Sequence, residues 1–194
     1  MNHPKGPILA FGFYQRDTSL VARELLGKVL FSESGHVFTS GIITETEAYY
    51  GIGDPASHAF RGATPRSRIM FEKAGMAYVY LCYGIHWLLN VVTEKGGTPG
   101  AVLIRSLIPF YGVDEMKRRR GIERNSGMTD GPGKLTIAMG IDGKDNGSNM
   151  SEKASGLYII ESPQIKKSFD ITNTSRIGIK EGKDRLLRYR AVGL

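Results

Sequence analysis

The stretch Met76-Ala77-Tyr78-Val79-Tyr80-Leu81-Cys82-Tyr83-Gly84-Ile85-His86-Trp87-Leu88-Leu89-Asn90-Val91-Val92-Thr93 decides how the fold is read. Aromatic and β-branched residues crowd both halves, which favours extended chain. Residues 76–82 and 87–93 are predicted as two strands, hinged at Tyr83, Gly84, Ile85 and His86. Alternation along the first strand puts Tyr78, Tyr80 and Cys82 on one face. Such a tyrosine stripe suits half-buried sheet surface as well as a shelf for a base. Tyr83 differs, because a residue at a tight tip has little core to pack against; an exposed aromatic there is a candidate wedge into a base stack. In the second strand Asn90 interrupts an apolar run. A buried amide left unpaired costs about 1–3 kcal/mol, so Asn90 is satisfied by backbone or faces a pocket.

Working outward, Asp17 is placed to cap a helix running to Leu26, with Gly27 as a left-handed stop. Residues 28–32 and 37–48 read as strands joined by Ser34, Gly35 and His36. Thr64-Pro65 predicts a helix start, continuing through Arg68, Met70 and Lys73 to Gly75. Ala101 to Ile108 reads as a strand ended by Pro109. A basic helix is expected from Gly112 to Arg120, a loop over residues 125–131, and a short helix at Leu135–Met139. Residues 142–156 are polar and expected to form a mobile loop. Leu157–Glu161 and Arg185–Val192 return to strand. Strands and helices without regular alternation predict an α+β fold.

The chain has 194 residues, 41% hydrophobic and 23% charged. That suits one globular domain spanning the chain. No apolar run approaches membrane-spanning length, and Met1 to Pro7 lacks the apolar stretch of a signal peptide. The single cysteine, Cys82, cannot form an internal disulfide, which fits a reducing cytosol. A cytoplasmic protein, monomeric by default, is therefore expected. Lys and Arg outnumber Asp and Glu 26 to 19, for a net charge of +7. The balance favours a polyanionic partner.

The densest chemistry lies between Glu45 and Arg105. In Glu45-Thr46-Glu47-Ala48-Tyr49 the two carboxylates and the tyrosine share a strand face. A solvated face with a pairing glutamate would read the same way. Position favours a site, because the strand runs into the loop Tyr50-Gly51-Ile52-Gly53-Asp54-Pro55, where side chains can meet a ligand. Arg105 follows the apolar Val102-Leu103-Ile104 as Asn90 interrupts its own strand, so both point to one lined cavity. His58 lies in a loop. With His3, His36 and His86 scattered and no paired cysteines, metal-ligand spacing is absent, and neither metal nor cofactor is expected. Gly131-Pro132-Gly133-Lys134 departs from a nucleotide-binding P-loop, because Met128 and Leu135 occupy its decisive positions. The following helix N-terminus and Lys134 could still hold one DNA phosphate. Arg118, Arg119 and Arg120 read as a solvated helix end, with DNA contact as the alternative.

Taken in order, these motifs resemble the alkyladenine DNA glycosylases, also called 3-methyladenine or methylpurine DNA glycosylases. The resemblance runs from Phe13-Tyr14 to about Arg190. It is sharpest at Glu45-Thr46-Glu47-Ala48-Tyr49, Ala56-Ser57-His58, Thr64-Pro65-Arg66, the hairpin through Tyr83-Gly84, Asn90, Val102-Leu103-Ile104-Arg105 and Gly131-Pro132-Gly133-Lys134-Leu135. It implies a mixed domain around a curved antiparallel sheet. It implies an enzyme that flips damaged purines out of double-stranded DNA and hydrolyses their N-glycosidic bond. By the same resemblance Glu47 is the general base, and Arg105 helps place it and the water. Tyr49 and Tyr80 sandwich the flipped base, His58 supplies a hydrogen bond, Asn90 crowds out guanine and Tyr83 fills the gap. Arg66 and Lys134 are candidates for the DNA backbone. Leu186-Leu187-Arg188-Tyr189-Arg190 is less aromatic than the family's final strand. The expected substrates are 3-methyladenine and 7-methylguanine, with hypoxanthine and ethenoadenine behind them. Because no lysine stands in the central constellation, a monofunctional enzyme that leaves an abasic site is expected. Two other readings fit parts of the pattern: a nucleic-acid-binding module without catalysis, and a hydrolase of free nucleosides or nucleotides.

Overall fold

A computed structural model describes residues 5–161 and 168–194. Residues 1–4, and with them His3 and most of the start read for a signal peptide, lie outside the described residues. The spine is β2 (Val37–Tyr50), a 14-residue strand that pairs on one edge with β5 (Gly100–Tyr111). Its other edge is shared: β1 (Val29–Ser34) pairs with its first half, and β8 (Arg188–Val192) with Glu45 to Glu47. The hairpin of β3 (Ala77–Cys82) and β4 (His86–Val92) continues the sheet beyond β5. On the far side β6 (Leu157–Ile160) pairs with β1, and β7 (Asp170–Thr174) pairs with β8. All pairings are antiparallel. Register shifts around Gly41 and Glu45 bend β2, as expected of bulges, which add local twist. The expected α+β domain with a curved antiparallel sheet is the one observed.

Alternation divides the sheet into two faces. Ala77, Val79, Leu89, Val91, Val102, Ile104 and Ala48 join one core with helices α2 (Thr18–Glu24), α3 (Val113–Arg120) and α4 (Pro132–Met139), which follow α1 (Phe11–Tyr14) in chain order. The residues between them, Tyr78, Tyr80, Asn90, Leu103, Arg105 and Tyr49, line a cleft instead. A period of two thus separates packing from chemistry in the same strands. The Asp17 carboxylate accepts from the Leu20 amide, so the first predicted helix starts as read. It ends earlier than expected, at Glu24 with Leu25 as its cap, and Gly27, with φ +80°, closes the turn that follows.

Four further local expectations are corrected. The helix from Thr64 to Gly75 is only a 3₁₀ turn at Arg68–Phe71. Ser67 exchanges hydrogen bonds with Thr64 and donates to the Gly62 carbonyl, the kind of local bonding that competes with a helix ladder. Next, β5 does not stop at Pro109 but continues to Tyr111. Pro109 sits opposite Gly41, beside a register shift, where a missing N–H is tolerated. Residues 142–156 are built rather than loose. A capping box joins Asp142 and Asp145, Asn146 accepts from the Val79 amide, and Met150 is fully buried. Finally, the arginine run is not uniformly solvated. Arg119 packs against Glu115 and reaches the carbonyls of Ser34 and Ala138, Arg120 lines the cleft, and Arg118 alone is largely exposed.

Candidate active site

The cleft measures about 690 Å³. β2 brings Tyr49 to it, the loop after β2 brings His58, the hairpin brings Tyr80, Tyr83 and Asn90, and β5 brings Arg105. The expected constellation is therefore assembled in one place. Glu47 itself is fully buried. Its Oε2 accepts from the Tyr49 hydroxyl at 2.7 Å and meets Arg105 Nη1 at 3.3 Å, while Oε1 accepts from the Ile177 amide at 2.8 Å. All three donors belong to residues that line the cleft, so the carboxylate stands directly against the cleft lining.

Arg105 is held from behind. Its Nε donates to Glu45 Oε1 at 2.8 Å, and Arg188 Nε donates to the same oxygen at 2.7 Å. Burial alone would raise the Glu45 carboxyl; the hydrogen bonds and charges of Arg188 and Arg105 outweigh it and hold the group below its ordinary value. Glu45 thus anchors the guanidinium that reaches Glu47. Burial, joined by the nearby Glu47 charge, pushes the Tyr49 hydroxyl far above the usual phenol range, so it stays a donor to that carboxylate.

Also in the cleft, His58 Nδ1 and the Tyr78 hydroxyl are 2.7 Å apart, and the imidazole and Tyr80 rings meet edge to face at a centroid distance of 4.7 Å. Burial, then the Arg66 charge, lowers the His58 pKa. The ring is therefore neutral at pH 7, with Nε2 as the nitrogen not engaged by Tyr78. Asn90 Nδ2 donates to the Tyr78 carbonyl at 3.1 Å, which resolves the polar residue within an apolar strand: backbone satisfies it, and it lines the cleft as well. Tyr83 lies at the hairpin tip, 87% exposed, with φ +52°. A left-handed aromatic is rare enough to point to a functional constraint. Among the described residues, no group of three or more His, Cys, Asp or Glu is placed to hold a metal ion. No described helix is long and apolar enough to cross a membrane.

With this geometry in place, comparison with known proteins is decisive. A family model described as Methylpurine-DNA glycosylase (MPG) matches residues 12–193. This chain belongs to the methylpurine-DNA glycosylase family. A protein of Prosthecochloris aestuarii is 45% identical over 177 residues, covering 91% of this chain and 84% of its own. One from Methanoculleus marisnigri is 43% identical over 185 residues, covering 95% of both chains. Both carry the name "Putative 3-methyladenine DNA glycosylase".

For a member of this DNA glycosylase family, the remaining assigned residues divide by place. Lys134 lines the cleft but pairs with Asp130 at 2.8 Å. Arg66 is exposed, donates to the Leu81 carbonyl and leans toward the Tyr80 ring. The cleft is not free of lysines, because exposed Lys180 lines it with Lys134. Sequence reasoning missed the segment Arg176-Ile177-Gly178-Ile179, which covers Glu47 and lines the cleft from Ile177 onward. It lies 130 residues from Glu47, and neither periodicity nor a motif announces it. The only local hint is an arginine leading an apolar pair around a glycine.

Proposed function

We propose that this chain excises alkylated or deaminated purines from double-stranded DNA, taking 3-methyladenine and 7-methylguanine first and hypoxanthine or ethenoadenine as further substrates. A base inside the duplex is out of reach of a recessed carboxylate, so the nucleotide is extruded into the cleft at a cost of a few kcal/mol. Stacking on aromatic rings contributes roughly 1–3 kcal/mol per base, so Tyr49 and Tyr80 can offset that cost. Tyr83 fills the vacated stack. A ring-alkylated purine that carries positive charge gains further from the aromatic faces and leaves easily once its bond to the sugar breaks.

In this reading Glu47 orients and deprotonates the attacking water, and Arg105 fixes both. Neutral His58 offers Nε2 to the base. Asn90, pinned to the Tyr78 carbonyl, crowds the exocyclic amino group of a guanine; cationic 7-methylguanine offsets that penalty by its weakened glycosidic bond, and neutral guanine does not. Arg66 and Lys134 meet phosphates, Lys134 after leaving Asp130. The enzyme works as a monomer in the cytoplasm, without a cofactor, and leaves an abasic site.

The observation that carries the reading is a fully buried glutamate whose three donors all belong to cleft-lining residues. The test is product analysis. Duplex DNA carrying one 3-methyladenine should yield free base and an alkali-labile abasic site, and no enzyme–DNA adduct should be trapped by borohydride. An intact lesion strand after prolonged incubation would refute the activity. A trapped adduct would refute only the monofunctional mechanism and implicate Lys134 or Lys180.

A further inference from the structure

Two of the three groups that bond Glu47 are tied to a residue that lies outside the cleft. Arg176 and Asp54 are both fully buried and paired side-on, with Nη1 to Oδ2 at 2.6 Å and Nη2 to Oδ1 at 2.7 Å. Nη1 also donates to the Ala48 carbonyl at 3.0 Å, between Glu47 and Tyr49 in β2. The guanidinium carbon stands 4.6 Å from the Tyr49 ring centroid. Its Nε is buried without a partner among the described residues, so Asp54, Ala48 and the ring, not saturation of its own donors, set its place. Asp54 in turn accepts from the Tyr50 amide and, more distantly, the Ala56 amide, fixing the turn that leads to His58.

We infer that the buried Arg176–Asp54 pair is a positioning clamp for Glu47. Arg176 acts through two routes. As the residue before Ile177, it sets the amide that bonds Oε1. As the cation over the Tyr49 ring, it sets the hydroxyl that bonds Oε2. A planar guanidinium can make the bidentate pair and the stacking contact together, whereas an ammonium is a point charge that cannot. Arg176→Lys therefore keeps the charge that Asp54 needs and removes the geometry. The clamp touches neither base nor water, so its loss should slow the chemical step far more than it weakens lesion binding.

This inference rests on the proposed excision activity, and its test separates the two. Single-turnover base release, lesion-duplex Kd and hydrogen exchange at the Ile177 amide are measured for wild type and Arg176→Lys. Release is expected to fall at least tenfold with Kd within twofold. The Ile177 amide, bonded to Glu47 although its residue is half exposed, is expected to be protected in wild type and to exchange at least tenfold faster in the variant. If release and exchange match wild type, the clamp is refuted. If Kd weakens in step with release, Arg176 supports the cleft as a whole and the inference is equally refuted. Should wild type release no base, the excision reading fails, while Ile177 exchange still decides the clamp. Asp54→Asn, which keeps the shape and removes the charge, guards against a lysine that misfolds; the same split is expected of it.

Discussion

The two ends of the cleft are built on opposite terms. At the Glu47 end, charge is buried and paired: Glu45, Glu47, Arg105 and Arg188 form one network, and Asp54 with Arg176 form another beside it. At the hairpin tip, apolar surface is left in water, with Tyr83 87% and Ile85 70% exposed. Neither choice favours stability. Buried ion pairs often gain no more than packed hydrophobes would, and exposed apolar side chains in a left-handed turn gain less. Fixed charge at one end suits a reaction that needs a carboxylate held still. A projecting aromatic at the other suits the proposed partner, a duplex that has to be pried open.

Predictions follow that contrast from its largest consequence down. Removing Arg105 takes a paired cation from buried Glu47 and leaves Glu45 to Arg188 and Arg190. Breaking a buried pair costs about 3–5 kcal/mol, so Arg105→Ala should lose base release and a comparable amount of folding stability in denaturant titration. A variant as stable as wild type would mean that the network is not held by charge. The tip should behave in reverse. Tyr83→Asn places a residue tolerant of φ > 0 at the turn. It should gain about 1 kcal/mol and raise the melting temperature by about 2–4 °C, while release from duplex DNA drops more than tenfold. Unchanged duplex activity would favour a small free substrate over a base-flipping reaction.

Acid separates the two ends again. The Glu45 carboxyl is held below its ordinary value in the folded chain. Its contribution is therefore present above the unfolded pKa of about 4.3 and is lost as pH falls through the lower, folded value. The melting-temperature gap between wild type and Glu45→Gln should be widest at neutral pH and close on acidification, whereas Tyr83→Asn should hold a constant gap. The smallest effect concerns His58. Its NMR titration should have a midpoint below that of free histidine, and Arg66→Ala should move it back up, since the Arg66 charge is the second cause of the shift. A midpoint indifferent to Arg66 would assign the whole shift to burial.

Much of this was legible in the chain. Period-two alternation in residues 76–93 and 45–49 announced the hairpin and the face carrying Tyr49 and Tyr80, because a strand's two faces are fixed by parity. Polar residues set among apolar strand positions flagged Asn90 and Arg105, and both line the cleft. What parity cannot reveal is depth: Glu47 reads like Glu45 in sequence, yet one is fully buried and the other is the anchor behind Arg105. Nor could pattern find β7, whose five residues are all exposed and polar but for Ile171, or the Arg176 segment, whose place comes from a pairing across 122 residues. The Thr64 helix failed for a local reason, because Ser67 and Thr64 spend their hydroxyls on each other and on Gly62.

The central claim is that the buried carboxylate of Glu47 performs the chemistry and not the recognition. It is tested by single-turnover release of 3-methyladenine from duplex DNA by wild type and Glu47→Gln, with the Kd for the same duplex measured alongside. Glu47→Gln keeps the shape and one acceptor oxygen, so binding should stay within a few-fold while release falls by about 10²–10⁴. Release undiminished in the variant, or binding lost together with it, would contradict the account.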